Sequence, residues 1–184
     1  MTDSLPPPPP LAKGRVHEAF GPGGPVFAFV LGHHCRGTII WVRDRWRRDR
    51  LDPNGFKAFI DPAELYLCKT KDHAQALGVA EDALRSGAVA LVVVELSKEV
   101  TLTQGRRLQL AAREGKCTGL ALISEGMGSN AAETRWRCRP VFDPHIAVMH
   151  QWDLVKNKSG AQGSWRLWWD SEAKEVRVVS HARA

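Results

Sequence analysis

Ala88-Val-Ala-Leu-Val-Val-Val94 is the segment on which the predicted fold depends. It is apolar at every position and lacks the alternation of a strand that has one side in water. Such a run predicts a strand in the middle of a parallel sheet, covered on both faces. Gly87 precedes the run and Glu95 follows it, so it is far shorter than the ~20 residues that a membrane-spanning helix needs.

Strands and helices alternate on both sides of this segment. The predicted strands are residues 16 to 20, 38 to 42, 65 to 68 and 118 to 123, and the predicted helices are residues 26 to 34, 72 to 85 and 101 to 113. This alternation predicts a right-handed α/β domain with a mainly parallel sheet flanked by helices.

The pattern changes after Glu133, where helical periodicity ends. The remaining strand-like segments are residues 134 to 139, 146 to 155, 165 to 169 and 176 to 180. Short turns join them, and adjacent strands joined by short turns are antiparallel. Residues 131 to 180 are therefore predicted to form a β meander that extends one edge of the sheet.

The 184 residues are enough for one well-buried core, so residues 15 to 184 are predicted to form one domain, with its α/β core at residues 15 to 130. Residues 1 to 14 are predicted to be a disordered, proline-rich leader, because Pro6 to Pro10 cannot join a helix or a sheet. This leader is either a plain spacer or a ligand for a proline-reading domain. The N-terminus lacks the basic and apolar regions of a signal peptide, so a cytoplasmic protein without membrane contact is expected.

The net charge of +6 favours nucleic acid or an acidic protein as a partner. Much of the excess lies in one stretch, residues 43 to 50, whose candidate contact residues are Arg43, Arg45, Trp46, Arg47, Arg48 and Arg50. The stretch could contact DNA or a partner, or it could be a solvated face with the tryptophan turned inward. The four cysteines are widely spaced, which predicts reduced, buried side chains and no metal site.

A glycine turn follows the first predicted strand. Its residues are Gly21, Pro22, Gly23 and Gly24. A phosphate-binding loop also needs a lysine and a hydroxyl, but Val26, Phe27 and Ala28 follow here, and no lysine lies between Lys13 and Lys57.

Glu95 ends the apolar strand, at the position where a carboxylate would hold magnesium through water. With the lysine and hydroxyl missing, the turn is interpreted as a vestigial nucleotide loop and Glu95 as a vestigial Walker B position. Neither a cofactor nor ATPase activity is expected.

Three segments, in order along the chain, resemble the bacterial recombinase RecA. Val16-His-Glu-Ala-Phe-Gly-Pro22 looks like its first strand entering the phosphate loop. Ala83-Leu-Arg-Ser-Gly-Ala-Val-Ala-Leu-Val-Val-Val-Glu-Leu96 resembles its second Walker strand with the preceding helix, and Leu154-Val-Lys-Asn-Lys158 is similar to its late lysine signature. The resemblance implies a truncated RecA-like P-loop NTPase core, in which the DNA-binding loops of RecA are cut short.

Further segments resemble ImuA, the RecA-like accessory family of bacterial damage-induced mutagenesis, in its alphaproteobacterial form. They are Arg15-Val-His-Glu18, Trp41-Val-Arg-Asp-Arg-Trp46 and Glu133-Thr-Arg-Trp-Arg-Cys138. The resemblance covers residues 15 to 180. It implies a non-catalytic adaptor in SOS translesion synthesis. One implied partner is ImuB, which is an inactive relative of the Y-family polymerases. The others are an error-prone C-family DNA polymerase and, as a further candidate, RecA. Contact with nucleic acid would be indirect.

The resemblance also implies candidate contact residues. In RecA the lysines of the late signature reach the ATP of the neighbouring protomer, so Lys156 and Lys158 are candidate trans-interface lysines, or they only solubilise a turn. The candidate partner surface on the meander is marked by Trp136, Trp152, Trp165 and Trp168, although most tryptophans there are expected to pack in the core. A divergent NTPase, a DNA-binding module and a SulA-like cell-division inhibitor remain alternatives.

Overall fold

The computed structural model describes residues 6 to 146 and 148 to 183. Residues 1 to 5 of the predicted leader, Ala147 within a predicted strand and the last residue, Ala184, lie outside the described residues. In chain order the elements are β1 Val16–Phe20, α1 Gly24–Cys35, β2 Ile39–Asp44, α2 Pro53–Phe56, a 3-10 turn Pro62–Glu64, β3 Leu65–Thr70, α3 His73–Arg85, β4 Leu91–Glu95, α4 Leu102–Gly115, β5 Thr118–Ile123, β6 Thr134–Val141, β7 Met149–Asn157, β8 Gly163–Asp170 and β9 Glu175–Arg183.

The strands form one sheet in the order β3-β2-β4-β5-β1-β6-β7-β8-β9. Pairing is parallel from β3 through β6 and antiparallel from β6 through β9. The predicted fold class is therefore confirmed, including the C-terminal meander. All five residues of β4 are buried, as the apolar run predicts for a strand covered on both faces. Among the described residues, no helix has both the length and the apolar character to span a bilayer.

Helices cover the two faces of the parallel part. On one face lies α1, which is apolar on all sides and has Phe27 and Phe29 in the core. Phe29 packs against Trp41 of β2 and against Phe56 from the connection to β3. On the other face, α3 and α4 bury a second apolar cluster against the sheet.

The connection from β5 to β6, residues 124 to 133, crosses the sheet without forming a helix or a strand. Glu18 of β1 holds it in place, because one carboxylate oxygen accepts from the Ser129 backbone N–H at 2.8 Å and the other from Arg135 at 2.7 Å. This crossover brings β6 alongside β1, the strand that precedes the glycine turn.

The meander packs on α1 through the tryptophans that its strands direct inward. Trp136 and Trp152 are buried, and their rings lie 5.3 and 4.8 Å from the ring of Phe27. Trp165 is also buried and lies against Trp136. These three side chains are therefore core residues, on the face of the meander that packs toward α1. Of the four proposed surface tryptophans, Trp168 alone is partly exposed.

A buried histidine links this core to the leader. His17 is fully buried; its Nε2 lies 3.0 Å from the Ala12 carbonyl oxygen and its Nδ1 lies 2.7 Å from the Thr134 hydroxyl. That hydroxyl also accepts from the Trp136 indole at 2.9 Å. The neutral ring with its proton on Nε2 satisfies all these contacts, since the Thr134 hydroxyl can then donate to Nδ1.

We predict that acidification destabilises the fold. Burial lowers the pKa of His17 below its ordinary value, and the charge of Arg15 acts in the same direction. The Ala12 hydrogen bond and the charge of Glu133 oppose this shift without reversing it. As the pH falls below about 6.5, the unfolded chain binds a proton that the folded chain resists, so the free energy of unfolding decreases. Urea denaturation at pH 7.5 and 5.5 measures this loss. His17→Gln should reduce the pH dependence, leaving the part due to His73 and His150, whose pKa values burial also lowers. An identical pH dependence in both proteins would contradict the account.

Candidate functional site

The candidate site lies where three parallel strands end on one edge of the sheet. Ligands of open parallel sheets bind at the carboxyl ends of the strands. Here that edge carries the glycine turn after β1, Arg43 and Asp44 at the end of β2, and Glu95 at the end of β4. The structure thus places the predicted vestigial loop, the predicted acid and the start of the arginine stretch along the same edge of the sheet.

The backbone N–H groups of the glycine turn point to protein carbonyls. The Gly23 N–H donates to the Cys138 carbonyl of β6 at 2.9 Å, and the Gly24 N–H donates to the Gly21 carbonyl at 3.0 Å. Pro22 and Pro25 have no N–H to donate. Residues 22 to 25 therefore offer no N–H group to a phosphate, whereas a phosphate loop directs several toward its ligand.

The glycines are needed because the turn packs directly on β6. Gly21 has a φ of 92°, and a Cβ there would lie 2.5 Å from the Cys138 carbonyl oxygen. A Cβ at Gly23 would lie 2.9 Å from the Cys138 carbonyl carbon. Both positions thus require glycine for the close approach of two backbones, without any nucleotide.

We predict that Gly21→Ala lowers the free energy of unfolding by about 2 kcal/mol, because alanine is strained at positive φ and its methyl group collides with β6. Gly78→Ala is the control, since nothing lies within 4 Å of a Cβ at that position in α3. It should raise the free energy of unfolding by about 0.5 to 1 kcal/mol through helix propensity. Chemical denaturation measures both changes. A Gly21→Ala protein as stable as the parent would show that the turn is not held against β6.

Glu95 is buried, with 8% of its surface exposed, and its carboxylate is occupied by side chains of this chain. One oxygen accepts from the Trp41 indole N–H at 2.7 Å. The other accepts from Arg43 at 3.2 Å and lies 2.9 Å from the Arg47 guanidinium. Two cations therefore neutralise the carboxylate at the position predicted to be a vestigial metal-binding acid.

Arg43 also folds the start of the arginine stretch back onto the sheet. Its guanidinium is buried and donates to the Asp49 carboxylate at 2.6 Å and to the Asp49 carbonyl at 3.1 Å. The hydrogen bond from Arg43 is the main cause that lowers the pKa of Asp49. The next residue, Asp44, is buried as well and accepts from the Ser97 hydroxyl at 3.1 Å.

This arrangement disfavours metal binding at Glu95. A divalent cation there would have to displace two guanidinium groups or sit beside them, and like charges at that distance repel. Within residues 6 to 146 and 148 to 183, no group of three or more histidine, cysteine, aspartate or glutamate side chains could hold a metal ion. The edge is suited to fixing its own loop.

We predict that Glu95→Gln lowers the free energy of unfolding by about 3 kcal/mol, because it leaves the buried Arg43 guanidinium with Asp49 as its remaining carboxylate partner. Glu99→Gln is the control: it removes the same charge from an exposed position in the connection that follows β4. The control should change stability by less than about 0.5 kcal/mol. Thermal and urea denaturation measure both effects. Equal stabilities of the two variants would contradict the proposed role of the buried ion pair.

The rest of the arginine stretch lies at the surface. Trp46 is 64% exposed, so the interpretation that it turns inward is wrong. The exposed arginines around it are Arg45, Arg47, Arg48 and Arg50, of which Arg47 is paired with Glu95 and Asp49. The tryptophan is exposed because Arg43 and Arg47, rather than the aromatic ring, anchor the stretch to the sheet.

Lys156 near the end of β7 and Lys158 just after it contact the chain's own crossover. Lys156 donates to the carbonyls of Ser129 and Asn130 at 3.0 Å each, and Lys158 donates to the Ala131 carbonyl at 2.7 Å. Burial, and then the nearby charges of Arg135 and Lys158, lower the pKa of Lys156. Both lysines therefore hold the β5–β6 connection, a role that the sequence analysis did not identify.

Sequence reasoning also missed Trp41, Asp49 and Cys138 as parts of this edge. Trp41 lies in an apolar segment and Cys138 alternates with Arg137 and Arg139 along a predicted strand, so both gave only a core signal. Asp49 could have been suspected from its place among arginines, but the arginine it binds depends on the tertiary fold.

Comparisons with known proteins agree with this architecture. Two curated proteins named ImuA, from Caulobacter vibrioides strains NA1000 and ATCC 19089, are each 31% identical to this chain over 153 residues. The alignment covers 71% of this chain and 62% of each relative, so the chain spans less than two thirds of their length. No family model matches the sequence.

The crystal structure of the RadB recombinase superposes with a TM-score of 0.68 and 15% identity, and the match covers 92% of both chains. At this identity the match establishes the fold alone. The chain therefore has the RecA-like fold of a recombinase core and is similar in sequence to ImuA.

Proposed function

We propose that this protein is a non-catalytic, RecA-like accessory factor of damage-induced mutagenesis, acting in error-prone translesion synthesis during the SOS response. The similarity to ImuA supports the biological role, and the recombinase-like fold is consistent with it. The proposal applies to the part of the relatives that this chain spans.

The observation that carries the non-catalytic part is the contact of Glu95 with Arg43 and Arg47. An ATPase of this fold needs a carboxylate that is free to organise magnesium and water, together with a loop that cradles phosphate. In this protein the carboxylate binds guanidinium groups and the glycine turn binds β6. We infer that the P-loop is degenerate and that the protein works by binding.

The proposed partners follow from the similarity to ImuA. They are an ImuB-like inactive relative of the Y-family polymerases, an error-prone C-family DNA polymerase and RecA. Contact with RecA through Lys156 and Lys158 would require both ammonium groups to leave the crossover carbonyls. We therefore assign the partner contacts to other surfaces.

The outer face of the meander is the first proposed surface. Along β8 the buried Trp165 and Leu167 alternate with Arg166 and Trp168, which therefore face the other way. Arg139 of β6 also has an exposed guanidinium. A partly exposed tryptophan beside arginines is typical of interface anchors.

Co-purification with an ImuB-like protein tests this proposal. We expect the unmodified chain to retain the ImuB-like partner and the Trp168→Ala, Arg166→Ala variant to lose at least ~10-fold in affinity, as is usual when an anchor residue is removed. The Trp46→Ala, Arg45→Ala variant is the matched control, with the same residue types removed from the opposite part of the sheet. Failure of the unmodified chain to bind would overturn the proposed role; loss of binding in the control alone would move the interface to residues 45 to 50.

A second candidate function is contact with single-stranded DNA at Trp46. The exposed indole could stack on a base, and Arg45, Arg48 and Arg50 could contact phosphates. In that case DNA affinity would fall steeply with salt concentration, and Trp46→Ala would weaken binding. If no DNA binding is detected at low salt, direct binding is excluded and indirect contact through the polymerase partner is favoured.

A further inference from the structure

The proline-rich segment lies across a cleft at the opposite edge of the sheet from Glu95. The cleft has a volume of about 860 Å³ and is lined by Pro7 to Leu11 from one side. Its other walls include the aromatic and aliphatic side chains of Phe27, Val30, Trp136, Trp152 and Val176. The segment, here called the proline strap (residues 6 to 12), thus covers an apolar cleft between α1 and the meander.

Burial along the strap recurs every third residue. Pro8 and Leu11 are partly buried, and Gly14, three residues further on, is buried. The intervening residues 6, 7, 9, 10, 12 and 13 are exposed. A polyproline II helix has three residues per turn, so this period is that of one ridge of such a helix resting on the domain. The consecutive prolines favour that conformation, because each fixes its own φ and restricts the residue before it.

The strap also makes polar contacts that suit this conformation. The Trp165 indole N–H donates to the Pro6 carbonyl at 3.2 Å, and the Ala12 carbonyl lies 3.0 Å from Nε2 of His17. Polyproline II carbonyls have no partner within their own helix and are free to accept such bonds. An indole donor beside an aromatic floor is the chemistry by which proline-rich peptides are recognised.

We propose that this cleft is a polyproline-binding groove, occupied by the strap of the same chain, and that a proline-rich segment of a protein partner binds it by displacing the strap. The seated strap identifies the chemistry of the ligand. Four of the five prolines in the strap are exposed, which means that most of the strap remains in contact with water. Its departure therefore gives up only a small amount of buried apolar surface. The groove is separate from the surfaces proposed above, so its failure and theirs are distinguishable.

Competition between the strap and an added peptide tests the proposal. The probe is a fluorescein-labelled peptide of residues 6 to 13, Pro-Pro-Pro-Pro-Pro-Leu-Ala-Lys, with binding followed by fluorescence anisotropy. In the unmodified chain the tethered strap competes at millimolar effective concentration, so the peptide should bind weakly. Pro8→Ser with Leu11→Ser removes the buried ridge, and we expect the peptide to bind this variant about tenfold more tightly.

The matched control is Pro7→Ser with Pro10→Ser, which changes two residues at the same spacing on the exposed side of the strap. It should bind the peptide as weakly as the unmodified chain. A Gly-Ser peptide with the same leucine and lysine should bind none of the proteins. Equal affinity of the proline peptide for all three proteins, or equal binding of the Gly-Ser peptide, would overturn the proposal.

A second pair of variants tests the groove itself, in a chain that lacks residues 2 to 11. Circular dichroism first establishes that this shortened chain is folded; if it is not, the same pair is made in the Pro8→Ser, Leu11→Ser background. Trp165→Phe keeps the ring but removes the N–H donor and should weaken peptide binding, whereas Trp168→Phe on the outer face should not. No binding to any folded variant would refute the groove. The unmodified chain is also examined by sedimentation, with and without the peptide. A dimer that the peptide dissociates would show that a second copy of this chain, rather than a partner, is the ligand.

Discussion

The contact between Glu95 and Arg43 is the interaction on which the functional edge of this protein depends. Both side chains are buried where β4 and β2 end, and the ion pair joins the two strands at the position that a nucleotide and its metal would occupy in an ATPase of this fold. A buried carboxylate needs a charge partner, and here the Arg43 guanidinium supplies it. The same arginine binds Asp49, so neutralising the acid also fixes the loop that presents Trp46.

The meander and the glycine turn are packed against each other. The helix α1 is apolar on all sides and must be covered opposite the sheet as well as against it. The meander supplies that cover with Trp136, Trp152 and Trp165, and in doing so brings the backbone of β6 onto the glycine turn. The packing that completes the core thus also uses the N–H groups that a phosphate would need.

Much of the fold could be predicted from the sequence, because the signals were local. Buried parallel strands appear as continuous apolar runs, and α3 and α4 have helical spacing with side-chain caps at Asp72 and Thr101. The side of the sheet that each tryptophan faces was less predictable. Alternation fixes which residues share a face, but not which face is covered, and the β8–β9 pairing is shifted by a bulge after Arg166.

The contacts within the candidate site were less predictable than the strands that carry them. The glycine turn and Glu95 could be placed at one edge from the order of strands alone. The roles of Arg43, Lys156 and Lys158 depend on acceptors distant in sequence, namely Glu95 and the carbonyls of residues 129 to 131. A sequence shows that a cation is present, but its partner, and hence its exposure, is set by the tertiary fold.

Calorimetric titration with ATP and magnesium tests the proposal that the protein's own arginines occupy the place of a nucleotide and its metal. The account predicts no saturable heat of binding for ATP up to millimolar concentration, with or without magnesium, in a chain that is folded by circular dichroism. Saturable, magnesium-dependent binding that is lost in Glu95→Gln would contradict it, because the carboxylate would then serve a metal rather than Arg43.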